Sequence, residues 1–247
     1  MHFFRRPGVI HLDCFTDNIG TFTYTKIEHS MKFIPDWWKQ LDKIDPTSNH
    51  PTGTMKSCQG FLDLFRQGIV LPMWSDLSVL LGEIGTEEVF WQFADSSSSA
   101  GIHNAGQRGT YLPEEKYQHL KLNSPWLFTC KEDLNWVLHP ITWCFDNPKA
   151  VIIPEGVLNF KWQYGTNINM FFERKPEKQR FLFEAGQPML QFIPMSEKKI
   201  VIHHHLIDTD EMRKKVGPTK IHKFRNHYNI GRKIREERES KCPFSFK

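Results

Sequence analysis

Between Glu155 and Ile207 apolar and polar residues alternate with period two, the pattern of strands that bury one face. Leu158, Phe160, Trp162 and Tyr164 alternate with Asn159, Lys161 and Gln163, which predicts a half-buried strand over Val157 to Tyr164. Gly165 to Asn167 then reads as a turn, and Ile168, Met170 and Phe172 resume the alternation, so the two stretches are expected to pair as an antiparallel hairpin. Turns at Arg174 to Lys178 and Gly186 to Pro188 separate further predicted strands at Phe181 to Glu184, Met189 to Ile193 and Lys199 to Ile207.

The first half of the chain is less regular. Val9 to Thr25 is rich in Thr, Phe and Ile and reads as a strand pair joined near Asn18 to Gly20. Pro35 and Asp36 open a short helix in which Trp37, Trp38 and Leu41 share a face, ending near Ile44. Pro46 to Gly53 is loop. Thr54 to Leu80 carries short apolar runs broken by Gly60, Gly68 and Pro72, which predicts strands or tight turns; Gly82 and Gly85 turn the chain into a strand at Val89 to Phe93. After Asp208, which with Glu211 resembles a capping pair, a helix is expected over Met212 to Val216, closed by Gly217-Pro218. A longer basic helix follows from His222 to about Glu239.

Consecutive short strands at regular spacing point to a mainly β fold, an antiparallel β-sandwich or a jelly-roll-like barrel, with a short N-terminal helix and a basic C-terminal helical tail. The chain has 247 residues and no internal repeat, so residues 1–211 are expected to form one domain and residues 212–247 a tail. Composition sharpens this picture. With 20 Phe and 8 Trp, aromatic rings must supply much of the buried area, which suits pleated sheets. Twelve of the 32 Lys and Arg but three of the 28 Asp and Glu lie from Met212 onward, so the tail carries about +9 and the body about −5. Five scattered cysteines without a CxxC pair argue against a disulfide framework or a thiolate zinc site. No apolar run is long enough to span a bilayer and no signal-peptide core follows Met1, so a cytoplasmic protein is expected.

Three groups of residues could carry chemistry. On a strand His203 and His205 project from one face with Val201 and Ile207, while His204 faces the other way with Ile200, Ile202 and Leu206. Such an HxH pair holds iron or zinc in many β-barrel enzymes once a carboxylate or third His joins it; His11-Leu12-Asp13, His103, His139 and Glu184 are the candidates. The plainer reading is a polar strand edge or a pH-sensitive contact. A second group is a ligand wall formed by Trp74, Asp76 and Trp126 with the polar loop residues His103 and Gln107, a composition that stacks a flat or sugar-like ligand; core packing is the commoner role of a Trp. Third, Arg225, Arg232, Lys233 and Arg235, interleaved with Phe224, Tyr228 and Ile234, could contact an acidic partner such as nucleic acid, or dock on the body or on another subunit of a homo-oligomer. Phosphate-loop, dinucleotide and GxSxG motifs are absent from the sequence.

The pieces IPDWW from Ile34, TMKSCQGFLD from Thr54, LPMWSDL from Leu71, SPWLFT from Ser124, EGVLNFKW from Glu155 and FEAGQPMLQFIP from Phe183 follow one another along much of the chain. Together they resemble an uncharacterised domain family of bacteria and tailed phages, including hypothetical proteins of cyanobacterial phages. The resemblance implies an intracellular phage or bacterial protein and assigns no catalytic residue; it also implies that Glu184 to Pro188 is a structural turn. The leading expectation is a β-sandwich that acts by ligand or partner recognition. Its rivals are a metal-dependent β-barrel enzyme built on His203 and His205, and a nucleic-acid-associated protein acting through the tail.

Overall fold

Three β-sheets organise the chain, and most of their pairings join strands far apart in sequence. The computed structural model describes residues 8–103, 110–145, 150–216, 232–234 and 236–237. Its strands are β1 (Val9–Thr16), β2 (Glu28–His29), β3 (Ile69–Pro72), β4 (Leu77–Leu81), β5 (Val89–Phe93), β6 (Ser99–Gly101), β7 (Tyr117–Cys130), β8 (Asn135–Pro140), β9 (Val151–Ile152), β10 (Gly156–Asn159), β11 (Gly165–Glu173), β12 (Gln179–Phe183), β13 (Pro188–Pro194) and β14 (Lys199–Leu206). The helices are α1 (Ile19–Tyr24), α2 (Asp36–Gln40), α3 (Gln59–Arg66) and α4 (Thr209–Val216).

The six-stranded sheet runs β14-β1-β7-β11-β9 with β6 beside β7; the five-stranded sheet runs β10-β8-β13-β3-β2; the three-stranded sheet runs β12-β4-β5. All these pairs are antiparallel except β1 with β14. The fold is therefore mainly β and sandwich-like, and among the described residues no sheet closes into a barrel.

Aromatic rings weld the layers together, as the composition implies. Phe128 of the six-stranded sheet meets Phe192 of the five-stranded sheet edge-to-face at 5.4 Å between ring centroids, and Phe160 stacks on Phe128 at 4.9 Å. Further along, Phe172 packs on Phe181 and Phe183 of the three-stranded sheet. Phe128, Phe160, Phe172, Phe192, Trp126 and Trp136 are fully buried, each contributing on the order of 2–3 kcal/mol by removal from water. One cation is buried with them: Arg174 donates to the carbonyls of Gly82 and Glu88 and to the Gln118 amide oxygen, which offsets the cost of desolvating it.

Several local expectations are corrected. Ile19 to Tyr24 is helix α1 and not a second strand, because the Asn18 side chain accepts from the Thr21 amide and caps it. Thr54 to Leu80 contains helix α3, whose apolar residues Phe61, Leu62, Leu64 and Phe65 follow helical spacing, and the buried Gln191 amide holds its last turn through the Leu64 and Gln67 carbonyls. The helix opened by Asp36 ends at Gln40, not near Ile44. The alternation after Glu155 is interrupted: β10 stops at Asn159, whose side chain bonds Asp133, Asn135 and the Lys161 amide and turns the chain. Gly165 to Asn167 then belongs to β11 and not to a turn. β10 and β11 form no hairpin, since β10 pairs with β8 and β11 with β7 and β9. The later strands likewise pair with β4, β3, β8 and β1 and not with one another. The turn at Glu184 to Pro188 is present, with Gly186 at φ +88° and the Gln187 amide donating to the Glu184 carbonyl.

Gly68 enters β3 at φ +73°, and a Cβ there would lie 2.1 Å from the Phe192 carbonyl oxygen, whereas Gly85 at φ +87° has open space around the same position. Gly68→Ala is expected to lose roughly 1–3 kcal/mol more stability than Gly85→Ala in urea denaturation; equal losses would show that the β3–β13 contact yields freely. His204 is the inward histidine of β14, donating through Nε2 to the Ile27 carbonyl at 2.8 Å. Burial lowers its pKa below 6.5, with the Ile27 bond opposing. A depressed folded pKa means that its contribution is full above about 6.5 and is lost as pH falls through the lower folded value. Denaturation midpoints measured from pH 7.5 to 5 should fall for the wild type and fall less for His204→Gln, and parallel curves would refute this assignment.

Candidate functional site

Two features meet along β1. The first is a ladder of polar rings on the outer face of the six-stranded sheet. Because β1 and β14 run parallel with Asp13 opposite His203 and Phe15 opposite His205, alternate residues of both strands share one face. His11 Nδ1 lies 2.9 Å from His203 Nε2, their rings 5.2 Å apart at 14°. His205 Nε2 lies 3.0 Å from Asp13 Oδ1; a carboxylate only accepts, so this nitrogen carries the proton. Phe15 stacks on His205 at 4.6 Å, and the Lys215 ammonium sits 4.0 Å from the Phe15 ring centroid.

Parallel pairing thus brings the HxD and HxH motifs together, which neither spacing alone implies. One nitrogen of each histidine and one Asp13 oxygen are engaged in these two pairs, while among the described residues His11 Nε2 is buried without a hydrogen-bond partner. Among the described residues no group of three or more His, Cys, Asp or Glu is placed to hold a metal ion. The other suggested third ligands lie elsewhere. His103 stands 5.2 Å from His119, which stacks on Phe171; His139 bonds Glu155 at 3.0 Å; Glu184 lines a groove described below.

The second feature begins where β1 ends. Asn18 caps α1 with its carbonyl oxygen and with its amide donates to Asp95 Oδ2 at 2.9 Å and Ser97 Oγ at 2.8 Å, binding the helix to the Asp95–Ser98 turn. Hydrogen bonds from the Ser97 hydroxyl and then the Ser97 amide hold the Asp95 carboxyl below the usual carboxylate range, so it is ionised. The Asp95 amide in turn donates to Ser75 Oγ at 3.0 Å.

Between this network and Trp74 runs a groove of about 680 Å3. Asp17, Ile19 and Tyr24 line it together with Trp74, Ser97 and Ala185, and among the described residues no Lys or Arg does. Tyr24 is 84% exposed and Ile19 64%. The Trp74 side chain is buried, and among the described residues its indole N–H has no hydrogen-bond partner. Among the described residues neither Asp17 nor the Tyr24 hydroxyl makes a hydrogen bond, so both are open to a ligand. A larger concavity of about 850 Å3 is lined by Arg66, Glu197, Lys198 and Lys199 with no aromatic ring but that of His29.

The five residues expected to form a ligand wall do not converge. Trp74 lines the groove, and Asp76 lies behind it, accepting from the Ala185 amide at 2.7 Å. Trp126 is fully buried in the core beside His204, His103 belongs to the outer face of the six-stranded sheet, and Gln107 lies outside the described residues. Asp17, Asn18, Tyr24, Asp95 and Ser97 were not expected; the signal for them was Asn18 as a helix cap, hidden by reading Ile19 to Tyr24 as strand.

Of the basic tail, Arg232 pairs with Glu236 at 2.9 Å and lies over the Trp162 ring at 5.5 Å, facing the body, and Lys233 is exposed. Arg225 and Arg235 fall outside the described residues. Helix α4 begins at Thr209, three residues before the expected start of the tail, and Asp208 accepts from the Glu211 amide as the capping pair requires. No helix of the described residues is long and apolar enough to cross a membrane. No protein-family model matches the chain and no curated protein matches it, so the site is defined by its own geometry.

Proposed function

We propose that this protein is a recognition β-sandwich that binds a small uncharged polyhydroxylated ligand, a sugar or related polyol, in the groove between α1 and Trp74. The observation that carries the reading is the lining of the groove, where the exposed Asp17 carboxylate and Tyr24 phenol stand beside Trp74.

The size and charge of the groove narrow the ligand. Its volume of about 680 Å3 falls within the range of small-molecule sites. With Asp17 and Asp95 in its lining and no cation among the described residues, it disfavours phosphate and nucleic acid. A hydroxyl both donates and accepts, so one polyol can donate to Asp17, accept from the Tyr24 hydroxyl and lay a C–H face on an aromatic ring.

The metal-dependent reading has one specific observation behind it, the meeting of His11, Asp13, His203 and His205 on one face. Since among the described residues no three of these groups are placed to share one ion, tag-free protein equilibrated with zinc or iron(II) and then gel-filtered is expected to retain less than one metal per chain. Stoichiometric metal that disappears in His11→Ala/His203→Ala would establish the metal reading instead.

For the groove, calorimetric titration with a panel of neutral monosaccharides should find a binder, and Asp17→Ala or Tyr24→Ala should weaken it about five- to tenfold, the loss of one hydrogen bond or ring contact. Both residues are exposed, so their folding stability should change by less than about 0.5 kcal/mol. No heat from any sugar at millimolar concentration would overturn the assignment.

A further inference from the structure

The groove beneath α1 does not stand alone. Behind its wall, at the end of the three-stranded sheet where Leu77 pairs with both Phe93 and Phe183, lies a second concavity of about 370 Å3. Asp76, Ser78, Gln92, Phe93, Leu182 and Glu184 line it, again with no Lys or Arg among the described residues. The two share their partition: Ala94 faces the second groove and Asp95 the first, and Glu184 faces the second and Ala185 the first. Consecutive α-carbons stand about 3.8 Å apart, so one thickness of backbone divides the grooves.

The partition is held firmly. The Ala94 amide donates to the Asp76 carbonyl at 2.9 Å, the Ala185 amide to the Asp76 carboxylate at 2.7 Å and the Asp95 amide to Ser75 Oγ at 3.0 Å. Across it Trp74 of the first groove stacks on Phe93 of the second, with ring centroids 6.4 Å apart at 21°. An aromatic layer therefore runs beneath both, and each groove presents carboxylates beside apolar surface.

We propose that the two grooves are successive subsites for one linear polyhydroxylated chain, so that the ligand class is an oligosaccharide and not a single sugar. This rests on the sugar reading of the first groove. One ring lies against Trp74 and Tyr24, the linkage passes over the partition, and the next ring lies on Leu182 and Phe93 within reach of the Gln92 amide. Leu182 is 63% exposed, an apolar surface that a sugar C–H face would cover. A cationic peptide would also answer to the carboxylates, but two of them are already engaged: Asp95 accepts from Asn18, Ser97 and Ser98, and Asp76 from Ala185.

Full-length protein titrated with neutral monosaccharides and the matching di- and tetrasaccharides distinguishes the outcomes. The oligosaccharide should bind at least about tenfold more tightly than its monosaccharide, because the second ring binds at high effective concentration. In Gln92→Ala/Leu182→Asp that advantage should vanish while monosaccharide affinity is unchanged, with urea denaturation verifying that the variant is folded. Oligosaccharide affinity within threefold of the monosaccharide, or an advantage that survives the double substitution, would overturn the two-subsite proposal and leave the first groove intact. Binding of a Lys-rich peptide with no binding of any sugar would overturn both.

Discussion

The pairing of β1 with β14 is the constraint on which the described molecule turns. It joins a strand from the beginning of the chain to one some 190 residues later, in register over eight residues from Val9 with Lys199 to Thr16 with Leu206. Closing so long a loop costs chain entropy, although that cost grows only slowly with length. The return comes from the inner face, where Ile10, Leu12 and Cys14 are fully buried. Once β1 is seated between β14 and β7, the outer face has no freedom left: His11, Asp13 and Phe15 must meet His203 and His205. The pairing also continues past the strands, since the Ile207 amide donates to the Thr16 carbonyl at 3.0 Å.

Aromatic packing explains why the three sheets stay together, and polar bonds explain why the groove keeps its shape. Phe and Trp fill the interior with large rings that interlock edge-to-face, which sets the spacing between layers without directional bonds. At the surface the task passes to Asn18, Asp76 and Asp95. Each of these short side chains bridges two segments that the core alone would leave free to move: Asn18 ties α1 to the Asp95 turn, and Asp76 ties β4 to the turn before β13. A wall fixed in this way would cost a ligand of the proposed class less entropy on binding.

How far the sequence revealed this follows from the range of the interactions involved. Fold class and several strands were legible because side-chain alternation is local; β5, β12, β13 and β14 stand within a residue or two of their expected places. The α1 and α3 helices were missed where β-prone composition, in FTYT and FLDLF, outweighed a cap and a helical spacing that tertiary contacts then selected. Strand pairing was illegible in principle, since nothing near Phe181 states that its partner is Val79. For the same reason the histidine motif was visible while its neighbours were not: the spacing of His203 and His205 fixes a face, but only a parallel partner 190 residues away decides what that face meets. Trp74 and Trp126 show the converse, because identical residue type and similar polar flanks put one in a groove wall and the other in the core.

The ladder and one side of the groove follow one another along a single stretch of backbone. Residues 11, 13 and 15 of β1 are held by rings of β14, and two residues further along the same backbone Asp17 and Asn18 enter the groove. Asp17 stands in the bend that follows β1, next to Thr16, whose carbonyl accepts from the Ile207 amide, so the β1–β14 pairing fixes the backbone up to the point where that bend begins. Hydrogen bonds that hold a parallel edge pair would be unremarkable in the middle of a sheet. At the point where β1 leaves the sheet they fix the backbone from which Asp17 and Asn18 turn toward the groove, so the polar ladder on this face has a physical consequence beyond the sheet itself.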